Sequence, residues 1–244
     1  MENNLSETAY IQTIDPSESV ASASNFGLRW FTPTIEVKLC GHATLASAAA
    51  IWKCTSNASK RLTFQTLSGE LAVEVTEQGK YAMDFPLNEP AASPLPEGLE
   101  LDSPCIAALA GSVPVKEFLW NEGLRYGLLV DDLVNLTPDL AAAQKAKGTG
   151  VVGIIATSKG DGESDFFYRF FAPWAGIDED PVTGSAATVA GPYWSKQLGK
   201  LDLKARQLSK REGDLWLTIK PDAQRIIVSG EAVLVLEGHM LLNE

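Results

Sequence analysis

Two histidines and three cysteines are all that the 244 residues offer to soft-metal chemistry. His42 and His239, set against Cys40, Cys54 and Cys105, show no metal-ligand or redox spacing, so neither a metal nor a zinc site is expected. An odd number of thiols without a disulfide framework points away from an oxidising compartment, and a cytoplasmic setting is expected. Positive charge is also short. Twenty Lys and Arg against 31 Asp and Glu leave a net −11, which disfavours nucleic acid and anionic membrane surfaces as partners. No apolar run approaches the roughly 20 residues that span a bilayer. The opening MENNLSETAY has neither the basic region nor the apolar core of a signal peptide. What remains is ordinary globular composition, 45% hydrophobic and 21% charged, and a chain of this length can bury a proper core.

The chain repeats itself. LRWFTPTIEVKLCGHATLASAAA (28–50) lies over YRFFAPWAGIDEDPVTGSAATVAG (168–191), with Arg29, Phe31 and Pro33 matching Arg169, Phe171 and Pro173. A three-residue insertion in the second copy then brings Gly41 onto Gly184. Further on, QTLSGELAVEV (65–75) resembles QLSKREGDLWLTI (207–219). Three matches in one order indicate an internal duplication.

Each copy reads as strand, turn, helix and antiparallel strands. ATLASAAAIW (43–52) is apolar nearly all round, as a buried helix is. AATVAGPYWSKQLG (186–199) is its counterpart, with Gly199 as C-cap and Pro192 expected to kink or restart it. LTFQTL, LAVEV, YAMDF, LWLTI, RIIVSG and AVLVLEG alternate like strands, and Pro33 closes a short strand at Arg29 to Phe31. DLAAAQKAKG (139–148) reads as a covering helix. The Pro-rich stretch LNEPAASPLPEG (87–98) is the linker candidate. This gives an N-terminal lobe over 1–98 and a C-terminal lobe over 99–244, with the last strand a candidate to return to the first lobe. A cleft between the two lobes is expected.

CGHAT (40–44) and TGSAA (183–187) open the two helices with small residues. The first amides of a helix lack intrahelical partners and carry partial positive charge, so a carboxylate can sit on them. Gly41, Ala43, Thr44, Thr183, Gly184 and Ala186 are therefore candidate substrate-binding residues. Plain capping, with glycine used for tight packing, is the competing explanation. Of the carboxylates Asp178, Glu179 and Asp180, two are expected only to complement the helix dipole. Asp180, before Pro181, is expected to face inward, to orient a proton-transfer group or to hydrogen-bond the substrate. Ser185 either serves a ligand or caps its own helix. His42 stands where the second copy has Ser185.

NLSETAY, LRWFTPTIEVKLCGHATLASAA, TLSGEL and EDPVTGSAA…YWS together resemble the PhzF-like family. The closest likeness is to its animal branch of phenazine biosynthesis-like domain proteins, also known as MAWD-binding proteins. The resemblance implies an α+β, diaminopimelate epimerase-like fold of two pseudo-symmetric lobes, each with strands wrapped around a central helix. It also implies a homodimer with no cofactor or metal. The family's proton-shuttle glutamate falls on Glu7, its histidine on His42, and its Asp and Ser on Asp180 and Ser185. Its members usually carry further residues before the Asn-Leu-Ser-Glu block, including a first strand, and often a histidine where Ala187 stands here.

The chemistry so implied is an isomerisation of a small carboxylate-bearing substrate. Removing a proton beside a carboxylate builds an enolate-like state that preorganised donors stabilise. A partly desolvated glutamate is the better base for that step. Two other functions compete. One is a protein-binding module with a vestigial site, which would have a protein partner. The other is a two-thiol racemase using Cys40, for which Thr183 occupies the place of the second thiol.

Overall fold

The computed structural model describes residues 7–32, 35–130, 133–146 and 150–238; His239 and Pro33 lie outside them. The chain divides into two compact units, Met1–Met83 with Gly230–Glu244, and Asp84–Ser229.

The first unit is built on period-two burial. Strand β1 (Thr8–Thr13) pairs antiparallel with β2 (Asn25–Phe31), which also carries the short β3 (Glu36–Val37). In β2 every second side chain, Phe26, Leu28 and Trp30, turns inward and is buried. Helix α1 (Gly41–Thr55) follows. Strand β4 (Arg61–Thr66) then returns parallel to β2. The meander continues through β5 (Gly69–Val75) and β6 (Tyr81–Pro86), for a sheet order β1-β2-β4-β5-β6. Ala43, Ala48, Ala49 and Ile51 of α1 are buried, as are Leu62, Phe64 and Val73 of the sheet. The alanine content of the helix keeps that contact close.

The second unit repeats this plan and adds to it. Helix α2 (Pro104–Ala110), strands β7 (Glu117–Asn121) and β8 (Tyr126–Val130), and helix α3 (Leu140–Lys145) come first. Then β9 (Gly153–Lys159) pairs antiparallel with β10 (Phe166–Phe171), as β1 does with β2. Helix α4 (Gly184–Leu198) leads to β11 (Asp202–Gln207), parallel to β10, and a meander through β12 (Gly213–Lys220) and β13 (Arg225–Gly230). The sheet order is β7-β8-β9-β10-β11-β12-β13. The strand–helix–meander duplication is thus matched pairing for pairing, and the α+β class is as expected.

Identical local chemistry marks the two copies. Arg29 forks onto Glu36 at 2.6 and 2.5 Å and lies over Phe31. Arg169 forks onto Glu179 at 2.7 and 3.0 Å and lies over Phe171. Glu179 is therefore held by an arginine, not merely set before a helix dipole.

Three expectations need correction. Of the two outcomes expected at Pro192, the restart is absent: α4 runs unbroken. The Thr188 carbonyl that a residue-192 amide would have bonded instead accepts from the Asn88 backbone N–H at 3.3 Å. The Pro-rich stretch after β6 is not a free linker: Ala91 bridges Trp120, and the Asn88 side chain bonds the Thr188 hydroxyl at 2.9 Å, inside the second unit. AVLVLEG (232–238) forms no strand, and Val233, Val235 and Leu236 are more than four-fifths exposed. Alternation makes a strand only where a neighbour's backbone supplies hydrogen bonds. Strands β8 and β9 escape the alternation test because nearly all their residues are buried, as in a parallel pair covered on both faces.

Candidate active site

Both helices begin at the expected glycines, with Cys40 and Thr183 as N-caps, and neither cap's side chain serves its own helix. No acidic side chain stands in either first turn. The amides of Gly41 to Ala43 and of Gly184 to Ala186 precede the first intrahelical bonds, Thr44 N–H to Cys40 at 3.1 Å and Ala187 N–H to Thr183 at 3.3 Å. They form two anion-accepting turns, one in each unit. At Gly184 an added Cβ would meet nothing within 4 Å, so tight packing does not explain that glycine. Thr44 is fully buried and its hydroxyl bonds the Cys40 carbonyl at 2.7 Å. It braces the turn from beneath.

In the first unit the turn carries a compact triad. The His42 Nε2 lies 3.1 Å from Glu7 Oε2. Cys40 Sγ lies 3.7 Å from Nδ1 and 3.8 Å from Nε2 of the same ring. Glu7 is brought there by the start of β1, which runs beside α1. Burial works to lower the imidazole's pKa. The hydrogen bonds to Cys40 and Glu7, with the negative charge each can carry, outweigh it and hold His42 up to about 10. The raised pKa favours the protonated ring beside Glu7 at neutral pH.

The second unit's turn is fixed differently. Asp180 is buried, and the Thr183 hydroxyl is bonded to its Oδ2 instead of capping the helix. Gln207, at the end of β11 and fully buried, grips the loop from both sides: its Oε1 accepts from the Thr183 N–H at 2.6 Å and its Nε2 donates to the Asp180 carbonyl at 2.5 Å. The Tyr168 hydroxyl donates to the Thr183 carbonyl at 3.2 Å. Ser185 does not cap its helix through its side chain; its Oγ sits 3.2 Å from the Tyr126 hydroxyl. Burial pushes the Tyr126 phenol up, the Ser185 hydrogen bond opposes this, and the charge of Asp180 adds to the rise. Tyr126 thus hydrogen-bonds Ser185 and lies within the field of Asp180. Sequence reasoning missed Tyr126, Gln207 and Tyr168, because contacts between residues this far apart leave no spacing signal. Gln207 had one hint, since it opens the second copy of a repeated segment. Its first-copy match, Gln65, bonds Glu70 instead.

Gln207→Leu keeps the bulk and removes both grips. Two buried backbone groups would be orphaned, so the expected loss is about 2–6 kcal/mol at roughly 1–3 per group. A urea titration reads it as a lowered midpoint with an unchanged slope.

A family model described as phenazine biosynthesis-like protein matches residues 1–238. The chain belongs to the PhzF family. Among the PhzF-family relatives, the mouse phenazine biosynthesis-like domain-containing protein 1 is 43% identical over 98% of this chain and 85% of its own length. A protein of Pseudomonas aeruginosa named an uncharacterized isomerase is 39% identical over 99% of this chain and 85% of its own. The crystal structure of a PhzF-family protein from Enterococcus faecalis superposes with a TM-score of 0.83 at 36% identity, covering 99% of this chain and 85% of that one. Among the described residues, no helix is long and apolar enough to cross a membrane.

Proposed function

We propose that this PhzF-family chain is an isomerase that moves a proton on a small carboxylate-bearing substrate. The observation that carries the reading is the Glu7–His42 ion pair at the uncapped start of α1. The Glu7 carboxylate takes the proton from carbon beside the substrate's acid group and returns it to another carbon. The His42 ring, 3.1 Å from Glu7, stabilises negative charge as it develops. The bare amides of the turn receive the substrate's carboxylate. The second unit carries its own bare turn, where Gln207 holds the loop of Asp180 and Tyr126 holds the Ser185 hydroxyl. The relative named an isomerase supports the reaction class. A two-thiol racemase fits poorly, since Thr183 stands at the N-cap matching Cys40 and its hydroxyl is committed to Asp180.

The test is solvent exchange. The protein is incubated in deuterated water with a panel of small unsaturated carboxylic acids, and each acid is weighed by mass spectrometry. At least one should gain carbon-bound deuterium. A panel that stays unlabelled, alongside a tight protein complex, would favour the second reading, a protein-binding module. The exposed Val233, Val235 and Leu236 are the observation on that side.

A further inference from the structure

We propose that Glu7, Cys40 and His42 form a binding site for a thiophilic divalent cation, with Zn²⁺ as its natural test ion, and that occupation of this site switches off proton transfer. Counting histidines argues against zinc, but three protein ligands suffice where the fourth position is left to water or substrate. One sulfur, one imidazole nitrogen and one carboxylate oxygen lie here within 4.8 Å of one another.

The spacing decides between a chance cluster and a site. Around tetrahedral zinc, with metal–ligand bonds of about 2.0–2.3 Å, neighbouring ligand atoms stand roughly 3.3–3.7 Å apart. The His42–Glu7 and Cys40–His42 separations of 3.1 and 3.7–3.8 Å fall within a few tenths of that. The third pair, Cys40 and Glu7, lies within 4.8 Å and has to draw in on loading. Cys40 is buried and the Glu7 side chain is only 11% exposed, so little water has to be displaced from the ligands.

Charge also balances. The positive end of α1 opposes a cation, and the thiolate and carboxylate ligands offset it. A thiolate and a carboxylate together neutralise a divalent ion. Any protons on the thiol and the ring leave for solvent on loading. The sulfur selects Zn²⁺, Co²⁺ and softer ions over Mg²⁺ and Ca²⁺, which take oxygen ligands. Loading removes the base, Glu7, and the donor, His42, in one event. The inhibitory half of the proposal rests on the acid–base reading above; the binding half does not.

The experiment is a Co²⁺ titration of the full chain after chelator treatment. Expected are one equivalent bound, a sulfur-to-cobalt charge-transfer band in the near ultraviolet, intense visible bands of a tetrahedral ion, and displacement of all of these by Zn²⁺. Cys40→Ser should abolish the charge-transfer band. His42→Gln should weaken Zn²⁺ binding, measured against a chromophoric chelator, by at least about tenfold, the scale that even outer-shell partners carry. Cys54→Ser, at an exposed thiol outside the cluster, should change neither. No charge-transfer band in the parent protein, or a band that survives Cys40→Ser, overturns the site whatever the activity proves to be. Where exchange is measurable, equimolar Zn²⁺ should reduce it at least tenfold and chelator should restore it. Binding without that loss overturns the switch alone.

Discussion

Glu7→Gln is expected to lower the rate of deuterium incorporation by about 10²–10⁴-fold, the range that a positioned general base contributes. The substitution is nearly isosteric. An amide oxygen can still accept from the His42 ring N–H that now lies 3.1 Å from the carboxylate, so the start of β1 keeps its contact with α1. What vanishes is the group able to carry a proton between two carbons. A split between kcat and KM separates this role from a structural one: kcat should fall while KM moves little, because the amides of the turn still hold the substrate's acid group. Glu7→Asp, which withdraws the carboxylate by one methylene, should fall between the two. An unchanged rate in Glu7→Gln would assign the proton transfer elsewhere.

Trp194→Ala should be the most damaging single core substitution in the second unit. The indole is 6% exposed and stacks on Phe166 with the ring planes 11° apart. It meets Tyr193 edge-on and donates through Nε1 to the Thr157 hydroxyl at 2.8 Å. Truncation opens a cavity beneath α4 and strips a buried hydroxyl of its donor. The expected cost is about 3–5 kcal/mol, and with roughly 2–4 °C lost per kcal/mol the melting temperature should drop on the order of 10 °C. Trp194→Phe, which fills most of the space and loses only the hydrogen bond, should recover most of the loss. Thermal scans of the three proteins decide it; equal melting points for Ala and parent would mean the indole does not anchor α4.

Where the physics is local, the fold could be read from the residues alone. Repeated Arg-x-Phe-x-Pro and Gly-centred turns gave the duplication, because each copy needs the same strand, the same arginine fork and the same bare helix start. Alternation gave β4, β5, β6, β12 and β13. It misplaced 232–238, since a pattern of side chains says nothing about whether a partner strand is at hand. It missed β8 and β9, whose burial on both faces erases the alternation. At the site, glycine placement located both turns. The assignment of Glu7 came from the resemblance, as nothing near it in sequence points to His42. Thr183, expected to touch substrate through an open turn, spends its hydroxyl on Asp180. That commitment, and the Gln207 grip behind it, depend on packing across β10 and β11 and leave no local trace.

Charge on His42 is where sequence and geometry part most sharply. A free imidazole titrates near 6.5, whereas Cys40 and Glu7 hold this one up to about 10. A raised native pKa contributes stability that is complete below the unfolded value near 6.5 and is lost as pH climbs through the native value. The chain should therefore weaken between those limits, and His42→Gln should flatten that part of the profile. The most direct measurement is an NMR titration of the imidazole carbons in chelator-treated protein. With only two histidines in the chain, His42→Gln assigns the signals at once. The ion-pair account predicts that the His42 ring stays protonated through neutral pH and titrates near 10; a midpoint near 6.5, as in a free imidazole, would contradict it.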